Sequence, residues 1–251
     1  PSGKLIAKLS SEASGGTKTE FTQLDLESKK HTMAIIAKAK EIHSMYGMVV
    51  LQILNEGYIE MTKSWICNVK MFPGAISHVM FITTDEISYK AIKKFDPSLN
   101  VYYVDVKAIK TMEYGQKVYW EYMLWRAKFL EKLLQSDVTI LLTEADQFWF
   151  KNVVEDIKQR LSSKFDFMCL NDQCSTNTQL VNGGFQLLRS SQTLLDTWKA
   201  YVSKYEGMLK KYKSKPDTRD IGDISDQITL SNMIKSSSVS YSFLPVKLYV
   251  C

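Results

Sequence analysis

The sequence predicts an α/β fold, a single domain with a central, mostly parallel sheet flanked by helices. Three observations carry that reading. Short apolar, β-branched runs at Val49 to Leu54, Val79 to Thr83, Val101 to Val106 and Val138 to Leu142 read as buried strands. Helical patterns separate these runs, and strands that alternate with helices belong to parallel sheets. The chain has 251 residues, 45% of them hydrophobic, enough to fill one large core without a second domain.

Taken in order, residues 1–30 are rich in Ser, Gly, Lys, Thr and Glu with little periodicity, the composition of a linker or stalk. The domain then runs from 31 to 251. Ile35, Ala39, Ile42 and Tyr46 fall on one face of a first helix, and Gly47 closes it. The strand Val49 to Leu54 leads through Asn55-Glu56-Gly57-Tyr58 into a helix from Ile59 to about Lys70. A loop at Met71 to Gly74 precedes the second strand. Asp85-Glu86 opens the next helix and Asp96-Pro97 ends it. After the third strand comes a long helix from about Lys117 to Gln135, then the strand Val138 to Leu142. The second half is less regular. A helix at Val153 to Leu161, a strand at Phe165 to Leu170 and a polar loop at Asn171 to Asn177 precede Asn182-Gly183-Gly184, which introduces another apolar strand. A helix from Ser190 to Tyr212 carries Leu194, Leu195, Trp198 and Tyr201 on its apolar side. The basic loop Lys213 to Gly222 follows. Ser225-Asp226-Gln227 starts a helix to about Ile234, and the alternating tail Val239 to Val250 suits a last strand.

Composition excludes several classes of function. The net charge is only +5, and Lys and Arg are scattered except between Lys204 and Lys215, so a nucleic-acid partner is not expected. No apolar run approaches the roughly 20 residues of a membrane span. The chain begins at Pro1 with no signal peptide and reads as an excised fragment. A removed anchor would place it in the Golgi or ER lumen; otherwise it is cytoplasmic. The lack of any Asn-x-Ser/Thr sequon speaks against a glycosylated lumenal protein. The four cysteines have no metal-type spacing. Cys67 is expected in the core, and Cys169 and Cys174 either pair across a loop or stay free.

The run Val138 to Leu142 ends in Thr143-Glu144-Ala145-Asp146. Two carboxylates one residue apart then stand at the carboxyl end of a strand, where open α/β sheets hold ligands. Such a pair suits a hard divalent cation that keeps open positions for substrate phosphates; a solvated loop is the alternative. Four further groups sit at strand ends, at helix starts or on a helix leading to one. Asn55 to Tyr58 offers an amide for a base edge and a ring for stacking, or is an ordinary strand-to-helix turn. Arg126 and Lys128 lie on the long helix before the acid pair and could face phosphates. Being two positions apart, they do not share a face, so at most one points into a site. Asn182-Gly183-Gly184 either lets backbone approach a ligand or forms a tight turn. Asp226-Gln227 either caps its helix or holds a polar acceptor. There is no Gly-rich phosphate loop and no nucleophile elbow. The only histidines are His31, His43 and His78, which argues against a catalytic triad or a His-rich zinc site.

In this order the groups resemble the GT-A nucleotide-sugar transferases, in particular the retaining, glycogenin-like and rhamnogalacturonan-xylosyltransferase-like families, over about Val49 to Ile234. The resemblance implies a Rossmann-like GT-A domain that transfers a sugar from a nucleotide-sugar donor, a UDP-sugar, to a glycan or protein acceptor with retention of configuration. It places Asn55 and Tyr58 at the nucleotide base and Lys128 at the donor. Glu144 and Asp146 stand at the Asp-x-Asp position that binds Mn2+ or Mg2+ and the diphosphate. Asn182, Gly183 and Gly184 fall beside the donor sugar, and Asp226 and Gln227 near the reacting sugar. Two features depart from the pattern: the first acid is Glu144 rather than Asp, and no His follows His78 to supply a third metal ligand. They leave, as the alternative, a degenerate homologue that binds nucleotide or carbohydrate without transfer.

Overall fold

The structure, a computed structural model, describes residues 29–106, 116–161, 164–172, 179–212 and 225–245. The expected stalk up to residue 28, the loops 173–178 and 213–224, and the tail beyond 245 lie outside the described residues. So does Cys174, and with it the question of a bridge to Cys169.

The elements follow the order α1 (Lys29–Tyr46), β1 (Val49–Leu54), α2 (Ile59–Lys70), β2 (Val79–Thr83), α3 (Glu86–Phe95), β3 (Asn100–Tyr103), α4 (Lys117–Leu134), β4 (Ile140–Leu142), α5 (Val153–Leu161), β5 (Phe167–Asn171), β6 (Val181–Leu188), α6 (Gln192–Tyr212), α7 (Asp226–Ser236) and β7 (Tyr241–Phe243). Seven strands form one sheet in the order β3-β2-β1-β4-β6-β5-β7. The first four are mutually parallel, β6 is antiparallel to both β4 and β5, and β7 runs parallel to β5. The crossover helices of the parallel half cover both faces, which is why β1 and β2 are buried on either side. Val49 and Leu51 of β1 join a core with Ile35, Ala39 and Ile42 of α1 and with the apolar faces of α4, α6 and α7. Val50 and Leu54 point the other way, into a second core with Trp65, Ile66 and Val69 of α2, Ile92 of α3 and Ile157 of α5.

Three expectations change. The third strand stops at Tyr103, although Val104 still donates to the Thr83 carbonyl at 2.9 Å. Asn182-Gly183-Gly184 does not precede a strand but lies inside β6. Cys67 is exposed, not a core thiol. The buried face of α2 is set by Thr62, Trp65, Ile66 and Val69, and Cys67, one residue past Ile66, is turned about 100° away from it. Cys169 is buried in β5, and burial pushes its thiol up to about 12. No helix among the described residues is long and apolar enough to cross a membrane.

His78, in the 3-10 turn before β2, is buried against Tyr46, with ring centroids 4.4 Å apart. Burial, helped by the charge of Lys158, pushes its imidazole down from 6.5 to about 4. Between these two values the unfolded chain holds more protons than the folded one. Stability therefore falls as pH drops through that window, by at most about 1.4 kcal/mol per pH unit from this group. His78→Phe is expected to flatten that part of the stability–pH curve in urea denaturation. An unchanged slope would show that His78 does not carry the linkage.

Candidate active site

β4 pairs with β1 through Leu51 and Leu142 and with β6 through Leu142 and Gln186. Extending the antiparallel register by two residues sets Glu144 opposite Gly184. A Cβ added to Gly184 would stand 2.3 Å from Glu144 Oε2, and one added to Gly183 would stand 2.8 Å from Gln227 Nε2. A side chain at either position would have to displace the end of Glu144 or Gln227, so the paired glycines let both side chains lie against β6. Asn182 supports this stretch of β6. Its Oδ1 accepts from the backbone N–H groups of Gly184 (3.0 Å) and Phe185 (2.9 Å), and its Nδ2 donates to Asp172 (3.0 Å).

The long helix α4 supplies the cation, from Arg126 rather than from Lys128. Arg126 is buried; its Nη1 donates to Glu144 Oε1 at 2.9 Å and its Nη2 reaches Asp226 Oδ2 at 3.4 Å. Lys128 lies about 200° further round the helix and pairs with Glu206 of α6 at 3.1 Å, away from the acid pair. Burial opposes the charge on Arg126, but Glu144 and Asp226 more than offset it and hold the guanidinium above its ordinary range. Burial raises the Glu144 and Asp226 carboxyls above theirs, against the pull of Arg126. Glu144 keeps 44% of its side chain exposed, so water moderates its shift, whereas Asp226 is buried. One turn before Arg126, Tyr122 is also buried, its hydroxyl pushed up chiefly by burial and bonded to Thr84. The sequence reading passed over Tyr122. Its i, i+4 spacing from Arg126 was the available signal.

Asp226 does not cap α7. Ser225 does, accepting from the Ile228 N–H at 3.3 Å. Asp226 is left as the first helical residue, free to turn inward to Arg126, and Gln227 beside it leans over Gly183. The Val181 N–H donates to Ser231 Oγ at 2.8 Å and ties α7 to β6.

On the other side of the acid pair, the turn after β1 is closed by Asn55, whose Oδ1 accepts from the Gly57 N–H at 3.0 Å, while Asp85 accepts from the Glu56 N–H at 2.7 Å. Tyr58 is half-exposed, and its hydroxyl is pushed up by burial and by the charges of Glu144 and Asp146. Asn68 of α2 grips the backbone of Trp149 from both sides, donating to its carbonyl at 2.9 Å and accepting from its N–H at 2.8 Å. The loop after Asp146 is thereby fixed.

A narrow cavity of about 10 Å3, room for roughly one water, lies behind this cluster. Arg126, Gln186, Tyr201, Asp226 and Gln227 line it, with apolar side chains of α4, α6 and α7. Asp146 is exposed and takes part in no ion pair among the described residues. Among those residues, no three His, Cys, Asp or Glu side chains gather into a complete cation site. A cation would therefore draw further ligands from substrate phosphate and water, as magnesium-like ions do.

The seven-stranded, mostly parallel sheet flanked by helices has the GT-A fold. The chain belongs to the nucleotide-diphospho-sugar transferase family, whose model matches residues 74–250, more than half of the sequence. It is similar to the glycosyltransferase GlyE of Streptococcus pneumoniae TIGR4, at 14% identity over 80% of this chain and 45% of that one, with a TM-score of 0.50. It is also similar to the galactosyltransferase LgtC, solved in complex with donor and acceptor sugar analogs, at 11% identity over 80% of this chain and 74% of that one, with a TM-score of 0.50. At these identities the likeness is one of fold, and the chain spans less than half the length of GlyE. No curated protein matches the sequence.

Proposed function

We propose that the protein moves a sugar from a UDP-sugar donor to a hydroxyl of a glycan or protein acceptor, with retention of configuration and with a divalent cation, Mn2+ or Mg2+. The observation that carries this reading is the convergence of Arg126, Glu144, Gly183, Gly184, Asp226 and Gln227 at one strand end. Electrostatics support the cation. Arg126 is one buried positive charge against the carboxylates of Glu144, Asp146 and Asp226, so an anionic diphosphate meets a net negative site unless a cation comes with it. Asp146 is the carboxylate that would hold the ion, with Glu144 the second candidate. Bound there, it would neutralise charge on the leaving diphosphate as a Lewis acid.

The chain's own residues supply the rest. Arg126 adds fixed positive charge in a site largely withdrawn from water. Asn55 and Tyr58 border the nucleotide base, and Gly183 and Gly184, braced by Asn182, bring the β6 backbone, with Glu144 and Gln227 lying against it, beside the donor sugar. Asp226 and Gln227 orient donor and acceptor hydroxyls, a contribution of positioning. Retention is what the resemblance to the retaining families implies. Lys128, paired with Glu206, is given no role.

A thermal-shift panel of UDP-, GDP- and ADP-sugars with and without Mn2+ tests the reading. UDP-sugars with Mn2+ are expected to stabilise the fold most, by about 2.7 kcal/mol at a hundred times the dissociation constant. Release of UDP in the presence of acceptor should follow. Binding without any release would favour the degenerate homologue, and no stabilisation by any donor would overturn both readings.

A further inference from the structure

We infer that Phe148 and Phe150 form a stacking platform for a pyranose of the acceptor, a sugar subsite beside the strand end that carries Asp146. The inference rests on the transferase reading above and commits its acceptor to a glycan.

The loop after β4 turns one ring in and two rings out. Trp149 is buried, edge-on to Trp65 with ring centroids 5.3 Å apart. Phe148 and Phe150, on either side of it, are 62% and 79% exposed. Their rings lie 5.5 Å apart at an interplanar angle of 57°, so they make one apolar surface, and exposed apolar surface of this kind marks an interaction site. The backbone beneath the rings is pinned on both sides of Phe148. Gln147 Oε1 accepts from Thr143 Oγ1 at 2.7 Å and from the Glu144 N–H at 3.4 Å, and Asn68 holds the Trp149 backbone through both of its polar atoms. Phe148 is two residues from Asp146, at most about 7 Å along the chain, so the rings stand at a fixed place beside the proposed donor site. Phe has no polar atom and offers only its ring. A pyranose turns C–H groups out on one face, and the negative face of an aromatic ring attracts them, while the sugar hydroxyls stay in water above the open surface. Other occupants match the patch less well. Two phenyl side chains bury at most about 500 Å2, short of the roughly 800 Å2 per partner of a stable dimer interface. Lys151, next to Phe150, is engaged by Asp156 at 3.1 Å rather than held for an anionic lipid surface.

Phe148→Ala, Phe150→Ala and the ring-preserving Phe148→Tyr test the platform in the whole chain. Saturation-transfer NMR follows the binding of methyl β-galactoside, methyl β-glucoside and lactose in the presence of UDP, alongside UDP affinity, melting temperature and sedimentation. In the parent chain, saturation should be strongest on the protons of one pyranose face. Affinity for the bound glycosides is expected to fall about three- to tenfold in each Ala variant, the scale of a single stacking contact, and to hold in Phe148→Tyr. UDP affinity and melting temperature should not change, since both rings already face water. Equal saturation in the parent and both Ala variants, or no saturation of any of the three glycosides by the parent, would overturn the proposal. So would a parent that sediments as a dimer and is dissociated by Phe150→Ala, because a second copy would then cover the rings. Pelleting with phosphatidylserine vesicles that is lost in the same variant would overturn it in favour of a lipid surface. Each of these results leaves the transferase reading standing as long as UDP-sugars with Mn2+ still stabilise the fold. A chain that binds the glycosides at these rings but takes no nucleotide-sugar would keep the sugar platform and overturn the transferase reading instead.

Discussion

Arg126→Met lowers the stability of the domain by about 3 kcal/mol at pH 7, the scale for removing one partner from a buried ion pair. Two carboxylates lean on this guanidinium, and they respond differently to its loss. Glu144 can turn its partly exposed carboxylate toward water, so its share is small. Asp226 cannot; it is 6% exposed and would be left charged beside Tyr201, at the wall of the cavity under α7. Burial already raises its carboxyl, and removing the opposing charge of Arg126 raises it further. The variant's folded state then binds a proton that the unfolded state does not. The destabilisation is therefore largest above the raised folded value and shrinks as pH falls toward the ordinary carboxylate range. Urea denaturation of parent and variant at pH 7 and pH 5 reads this directly. A loss below about 1 kcal/mol that does not change with pH would mean that the pair behaves as a solvated surface contact. Arg126→Lys should recover only part of the loss, because an ammonium is a point charge and cannot present two separate N–H edges to Glu144 and Asp226.

Why the sequence left Arg126 and Lys128 undivided follows from α4 itself. Ten of its residues are buried, from Trp120 to Leu134, so apolar side chains surround the helix nearly all round and periodicity marks no polar face. Spacing alone says that the two cations diverge; only the packing of α6, with Glu206 waiting at its surface, decides which turns outward. The acid pair was legible for the opposite reason. A run that is apolar up to Leu142 and then changes abruptly to Glu144 and Asp146 marks a strand end by local chemistry. The glycines fall between these cases. Two successive glycines before an apolar run suit a turn as well as a strand. What places them inside β6 is a contact with Glu144, forty residues earlier in the chain, which no local pattern records. Ser225 and Asp226 show the same limit at closer range: either suits a helix start, and the backbone bond to Ser225 frees Asp226 for Arg126.

Asp226→Asn and Gln227→Ala are expected to bind free UDP about as well as the parent chain while turnover falls by roughly a hundredfold or more, the loss that follows when a transition-state contact of about 3 kcal/mol is removed. Asp226 bonds to Nη2 of the guanidinium, Gln227 leans over Gly183, and neither belongs to the turn at Asn55 to Tyr58. In the proposed arrangement they face the sugar and the acceptor rather than the nucleotide, so removing them leaves the nucleotide contacts in place. The Asn variant also keeps the shape of Asp226 and one carbonyl oxygen toward Arg126. Its effect on folding should therefore be modest, and since Ser225 carries the cap, loss of an N-cap does not enter. Gln227→Ala opens space above Gly183 without uncovering a buried charge. UDP affinity, melting temperature and initial transfer rate, measured on the same two proteins, separate the possibilities. A fall in UDP affinity that matches the fall in rate would move the pair to the nucleotide side of the site. Full turnover in both variants would remove them from the reaction and leave Asp226 as no more than the second anchor of Arg126.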